Sequence, residues 1–145
     1  MRKALLLFTL LWSVTVVTNA QDVMESADLD ARLRFASSQH EIIKILLDES
    51  RYAEVLPEFW NILDLELTGE DEKPVVQEAW LIGEHMSEVG QYDLAHEIVD
   101  GALDELETSE SQFYLLMLKG KIFQDEGLTE EALAAYREAQ LYKND

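Results

Sequence analysis

From residue 28 onward apolar residues recur at three- and four-residue intervals, which places them on one side of successive helices. Leu29, Leu33 and Phe35 open the pattern, and it runs on to about Glu49. Ser37-Ser38 falls in the middle, and Ser38 with Glu41 makes a capping box that would start a fresh helix. Nothing between Phe35 and Glu41 forces the chain out of helical geometry, so a continuous or gently broken helix is expected. A second helix is predicted over about Ala53 to Leu67, with Leu56, Phe59, Leu63 and Leu67 on one side and Pro57 in its first turns. Thr68 to Pro74 is polar and holds both breakers, and reads as a loop. Further helices are expected over about Val75 to Val89, Tyr92 to Leu106, Gln112 to Asp125 and Glu130 to Tyr142, the last capped by Thr129. Gly90 and Gly127 stand where a left-handed C-cap is expected, and Glu107 to Ser111 forms a second polar break. No strand pattern of useful length appears.

The first twenty residues differ in kind from the rest. Met1-Arg2-Lys3 is a basic head, Ala4 to Val17 is almost wholly apolar, and Thr18-Asn19-Ala20 ends in a small residue. That order is the pattern of a secretory signal peptide cleaved near Ala20. As a helix the apolar run would reach about 21 Å, short of the roughly 30 Å hydrocarbon core, which argues against a stable membrane anchor. The expected organisation is a cleavable segment over 1–20 and one helical domain over 21–145. The chain has no cysteine, so neither a disulfide framework nor a lipoprotein anchor is available, and packing must supply stability. A periplasmic or secreted location follows.

The helical segments resemble one another. Gly83 and Gly120 are each followed seven residues later by glycine, Gly90 and Gly127. Ala95 and Ala132, Val99 and Tyr136, and Ala102 and Ala139 continue the correspondence. Forty residues before Gly83 a weaker copy runs through Ile43, Ser50, Val55, Phe59 and Ile62. This arrangement resembles the tetratricopeptide repeat, a helix–turn–helix unit of 34 residues. Spacings of 40 and 37 exceed that length, and the two polar breaks fall where the excess belongs. Lys119 stands where the family usually has leucine, and the first copy lacks the close-packing glycine. The resemblance implies an all-α fold, a short right-handed superhelix of about three antiparallel helical hairpins. It also implies a non-enzymatic module that binds a protein or peptide in a concave groove lined by the first helix of each pair.

Charge narrows the partners. Thirty acidic residues face eleven basic ones, a net charge of −19. A phosphate backbone would be repelled, so nucleic acid is excluded as a partner, and anionic membrane surfaces are disfavoured. Chemistry finds no foothold. His40, His85 and His96 lack metal-ligand spacing, Glu84-His85 is not a zinc-protease motif, and Asp125-Glu126-Gly127 lacks the alternating ligands of a calcium loop. No glycine-rich phosphate loop or activated nucleophile is present, so neither enzyme activity nor a cofactor or metal is expected.

The repeat register maps groove-lining positions onto His40, Lys44 and Leu47 in the first copy and Gln77, Trp80, Glu84 and Ser87 in the second. Tyr114, Met117, Lys121 and Gln124 follow in the third. The candidate binding residues are Lys44, Trp80, Glu84, Tyr114, Met117 and Lys121. Trp80 lies off the apolar side formed by Val75, Ala79, Ile82 and Met86, and edge aromatics carry much of the energy at interfaces. Lys44 and Lys121 fall at equivalent points and suit a carboxylate on the partner; alternatively they only relieve acidic repulsion. A structural subunit permanently packed in a cell-envelope complex is the competing reading. An end face can dimerise as readily as a groove can bind.

Overall fold

The computed structural model describes the backbone of residues 2–143 and the side chains of residues 23–143. The expected signal peptide, 1–20, lies outside the described side chains. Among the described residues six α-helices follow in order: α1 (Arg2–Asp48), α2 (Tyr52–Leu63), α3 (Lys73–Glu88), α4 (Tyr92–Glu105), α5 (Ser109–Glu126) and α6 (Thr129–Ala139). Short 3-10 turns cover Gly69–Glu72 and Gln140–Tyr142. Among the described residues there is no strand, and no helix is long and apolar enough to cross a membrane.

By packing the chain divides into two units, Met1–Ser37 and Ser38–Asp145. In the first, the described part of α1 is largely exposed: Val23 and Met24 are 69% and 73% accessible, and an ion pair joins Arg32 to Asp28 at 3.2 Å. α1 runs unbroken through Ser37 and Ser38, so the capping box at Ser38 is not used.

The second unit consists of antiparallel helix pairs stacked in a solenoid-like arrangement, the end of α1 after Ser37 with α2, α3 with α4 and α5 with α6. Helix α3 packs on α4 and α5, and α4 also on α2. Each helix buries one side because no pair can cover its apolar residues alone. Helix α5 carries six consecutive apolar residues, Phe113 to Leu118, of which Leu115, Leu116 and Leu118 are buried where the helix packs against α3, α4 and α6.

The turn inside each pair is built three times in the same way. At Gly90 and Gly127 the chain turns left-handed, with φ of 75° and 89°. Gln91 N–H donates to Met86 O at 2.7 Å, and Leu128 N–H donates to Phe123 O at 2.8 Å, the bonds of a Schellman cap. Ser50 adopts the same conformation at φ 57°, with Arg51 N–H on Leu46 O at 2.8 Å. The second helices start in register at Tyr52, Tyr92 and Thr129. They bury Val55, Ala95 and Ala132, then Ile62, Ala102 and Ala139, at matching positions. Thr129 opens the last of these from inside the helix, while Leu128 occupies the cap.

One boundary changes. Helix α2 ends at Leu63 rather than Leu67, because Glu66 takes φ 50° and turns the chain so that Leu67 returns to the core at 4% exposure. Gly120 does bring the two helices of its own pair together: a Cβ there would stand 2.5 Å from the Tyr136 ring of α6. Gly83 instead faces the next pair, 3.1 Å from Leu118 of α5. Phe59 is fully buried, while Trp60 is half-buried with its ring over Gly101 of α4.

The matching turns give a test with opposite signs. A side chain at positive φ is strained, so Ser50→Gly should stabilise the protein by about 0.5–1 kcal/mol. Gly90→Ala at the equivalent turn should cost about 1–2 kcal/mol. Urea unfolding followed by circular dichroism reads both; equal and negligible effects would remove the equivalence of the turns.

Candidate interaction groove

Where the two polar breaks meet, the N-terminal halves of α3 and α5 enclose a groove of about 680 Å³. It is lined by Lys73, Val76, Gln77 and Trp80 from α3, by Glu110, Ser111 and Tyr114 from α5, and by Gly69, Glu70 and Thr108 from the two breaks. Trp80 is half-buried and Tyr114 is 45% exposed, the latter held edge-on by Phe113 at 5.3 Å between ring centroids. Both aromatics therefore offer ring faces or edges to an occupant while keeping part of their surface packed.

A buried carboxylate holds this end of the fold together. Glu72 is only 2% exposed, at the last position of the 3-10 turn before α3. Its Oε1 accepts from the backbone N–H of Glu107 at 3.1 Å, and its Oε2 accepts from the N–H and hydroxyl of Thr108 at 3.1 and 2.7 Å. Thr108 in turn caps α5, its Oγ1 accepting from Ser111 N–H at 3.2 Å. Burial pushes the Glu72 carboxyl up, but hydrogen bonds from the hydroxyls of Ser111 and Thr108 and from the two backbone N–H groups outweigh it. The group therefore ionises below the ordinary carboxylate range. Gln112 adds a second tie, its Nε2 donating to Leu103 O and Leu106 O at 2.9 and 2.6 Å.

The predicted residues fall into separate groups. Trp80 and Tyr114 share the groove. Glu84 and Lys121 meet further along the same two helices, with Lys121 Nζ 3.7 Å from Glu84 Oε1 and 2.8 Å from Asp125 Oδ2. That hydrogen bond from Lys121 holds the Asp125 carboxyl below its ordinary range and raises the Lys121 amine. Met117 is half-buried on α5 and is not a wall of the groove. Lys44 is exposed on α1 and lies 3.4 Å from Glu41 of its own helix. Of the other mapped positions, Leu47 and Ser87 are buried, so neither lines an open surface. Ser87 is covered because Asp125 reaches across from α5 and accepts its hydroxyl proton at 2.9 Å. His40 is tied to the buried Glu78 of α3, Nδ1 to Oε2 at 2.6 Å.

Sequence reasoning did not find Glu72 or the contributions of Glu70, Lys73, Thr108, Glu110 and Ser111. Both polar breaks were legible as loops, and Thr108 followed by Ser111 has the character of a helix cap. That the breaks lie side by side is a tertiary fact. Among the described residues no group of three or more His, Asp or Glu side chains is placed to hold a metal ion. The groove offers aromatic surface, hydroxyls, an amide and charged groups, which suit non-covalent recognition. Comparison with protein-family models, curated proteins and solved structures gave no match.

Replacing Glu72 tests the anchor. Glu72→Gln should cost about 1–3 kcal/mol at neutral pH, because buried donors lose an ionised acceptor. A carboxyl with a depressed folded pKa stabilises above its unfolded pKa of about 4.3 and loses that contribution as pH falls through the folded value. Urea midpoints taken from pH 7 to pH 3 should therefore fall less steeply in Glu72→Gln than in the parent, the two curves converging in acid.

Proposed function

We propose that the protein is a non-enzymatic, tetratricopeptide-like interaction module that holds a protein or peptide partner in the groove between α3 and α5. The observation that carries this reading is the pairing of Trp80 and Tyr114 on facing helices of one preformed groove. Aromatic side chains set in such a recess supply binding energy at small entropic cost. Glu84, Met117 and Lys121 continue the same helices beyond the groove, and Lys44 stands at the equivalent point on α1. The basic head and apolar run of residues 1–20 support removal of a signal peptide near Ala20 and action of 21–145 in the periplasm or outside the cell.

A second reading, a subunit packed permanently in an envelope complex, draws on the last helix pair. Leu133 and Leu141 are 40% and 74% exposed there, more apolar surface than a free end needs. Sedimentation separates the two: an adaptor is soluble and monomeric alone, whereas a permanently packed subunit self-associates or precipitates.

The groove reading is tested by pull-down from periplasmic extract with mass spectrometry, comparing parent and Trp80→Ala. The variant should stay helical by circular dichroism and bind the captured partner about 1–3 kcal/mol more weakly. Equal capture by both proteins, or loss of helicity in the variant, would place Trp80 in packing rather than recognition.

A further inference from the structure

We infer that the groove selects a cationic polypeptide segment, seating an arginine or lysine side chain against Trp80 and Tyr114 with its charge toward Glu70 and Glu110. The inference rests on the groove reading above and adds the chemistry of the occupant. Four observations carry it.

Lys44 and Lys121, the two lysines that the repeat register maps to this face, are already engaged, which leaves Lys73 as the cation of the groove itself. Lys121 holds Asp125 at 2.8 Å with Glu84 at 3.7 Å, and Lys44 lies 3.4 Å from Glu41. Within the groove Glu70 and Glu110 outnumber Lys73, and neither carboxylate has an ion-pair partner among the described residues.

The groove also opens at the starts of α3 and α5, where free N–H groups would ordinarily attract an anion. Several donors at this end are already occupied. Ser111 N–H is taken by Thr108 Oγ1, the N–H groups of Glu107 and Thr108 by the Glu72 carboxylate, and Pro74 in the first turn of α3 has none.

The walls suit the rest of a long basic side chain. Its methylene stem can lie on apolar surface while its cation faces an aromatic ring, an attraction that grows as water is excluded. Trp80 and Tyr114 provide that ring surface beside Val76. Finally, the net charge of −19 surrounds the groove with a field that draws cationic partners and repels acidic ones.

The field alone could adsorb any polycation, so the test must separate the groove from the surface. The protein, as it accumulates in cells expressing the full chain, is titrated with short peptides alike in length and apolar residues. One carries arginine, one glutamine and one glutamate at alternate positions. The arginine peptide is expected to bind about tenfold or more tighter than the glutamine peptide at low salt, with the advantage shrinking as salt screens it. Glu70→Lys with Glu110→Lys should abolish that preference. Glu97→Lys with Glu138→Lys, an equal charge change on exposed faces of α4 and α6, should leave most of it. Trp80→Ala should weaken every peptide that binds.

Arginine binding that falls equally in both double variants would overturn the inference, since it would report the general field. Trp80-dependent binding of the glutamine or glutamate peptide at equal or greater strength would overturn the cationic preference and leave the groove reading standing. Binding of no peptide, with circular dichroism unchanged, would remove the groove reading and this inference with it.

Discussion

Helices α3 and α5 approach so closely that a Cβ on Gly83 would stand 3.1 Å from Leu118. Much of the architecture follows from this contact. With only a hydrogen at Gly83, the fully buried Leu118 can lie against the α3 backbone, and the first helices of successive pairs run side by side. Lys121 then reaches Glu84, and Asp125 reaches Ser87, from one helix to the next. The groove opens at the other end of the same contact, where Trp80 and Tyr114 diverge from it. Interiors pack at crystal density, so a methyl group inserted at Gly83 would be transmitted along both helices.

The two ends of this contact are secured by different physics. At one end, the left-handed turns at Gly90 and Gly127 satisfy carbonyls in the last turns of α3 and α5 locally, and the Tyr92 hydroxyl of α4 adds a bond to Asp125 O at 3.1 Å. At the other, Glu72 satisfies backbone groups far along the chain at Glu107 and Thr108. A charged acceptor surrounded by donors retains its ionised form although buried, and replacing it leaves those donors without water. The groove is thus built between rigid supports rather than on a free loop. A binding surface ordered in advance loses less entropy on association than one that must order itself.

Acidic residues dominate the surface, yet their arrangement is not uniform. The basic residues Lys44, Arg51, Lys119 and Lys121 all pair with nearby carboxylates, at separations from 2.6 to 3.7 Å. Exposed pairs of this kind contribute little to stability, but they remove isolated positive points from the surface. Lys119, which stands where the resembled repeat has leucine, is the clearest case: its ammonium reaches Asp100 of α4 at 2.6 Å while the neighbouring Leu118 takes the core. The substitution is accommodated because a long amphipathic side chain can lie along a helix contact and still bring its charge to water.

The helices and their repeat were legible in the sequence because both are local matters. Apolar periodicity marks the buried side of each helix, and glycine after an apolar stretch marks a left-handed cap, as at Gly90 and Gly127. The offsets from Ile43 to Gly83 and from Gly83 to Gly120 carried over to the turns at Ser50, Gly90 and Gly127 and to the starts of the second helices. The register assigned Trp80 and Tyr114 to one side of their helices, and both line the recess between α3 and α5. Which charges remain free was decided only in three dimensions. Lys121 meets Glu84 across helices whose separation is set by Gly83 and Leu118. Glu72 reaches a loop thirty-five residues away because two pairs stack, and Ser87 disappears beneath Asp125 for the same reason. Periodicity fixes the direction of a side chain about its own helix axis. The distance and rotation between two helices depend on the shapes of all the side chains packed between them, and no single position in the chain records that sum.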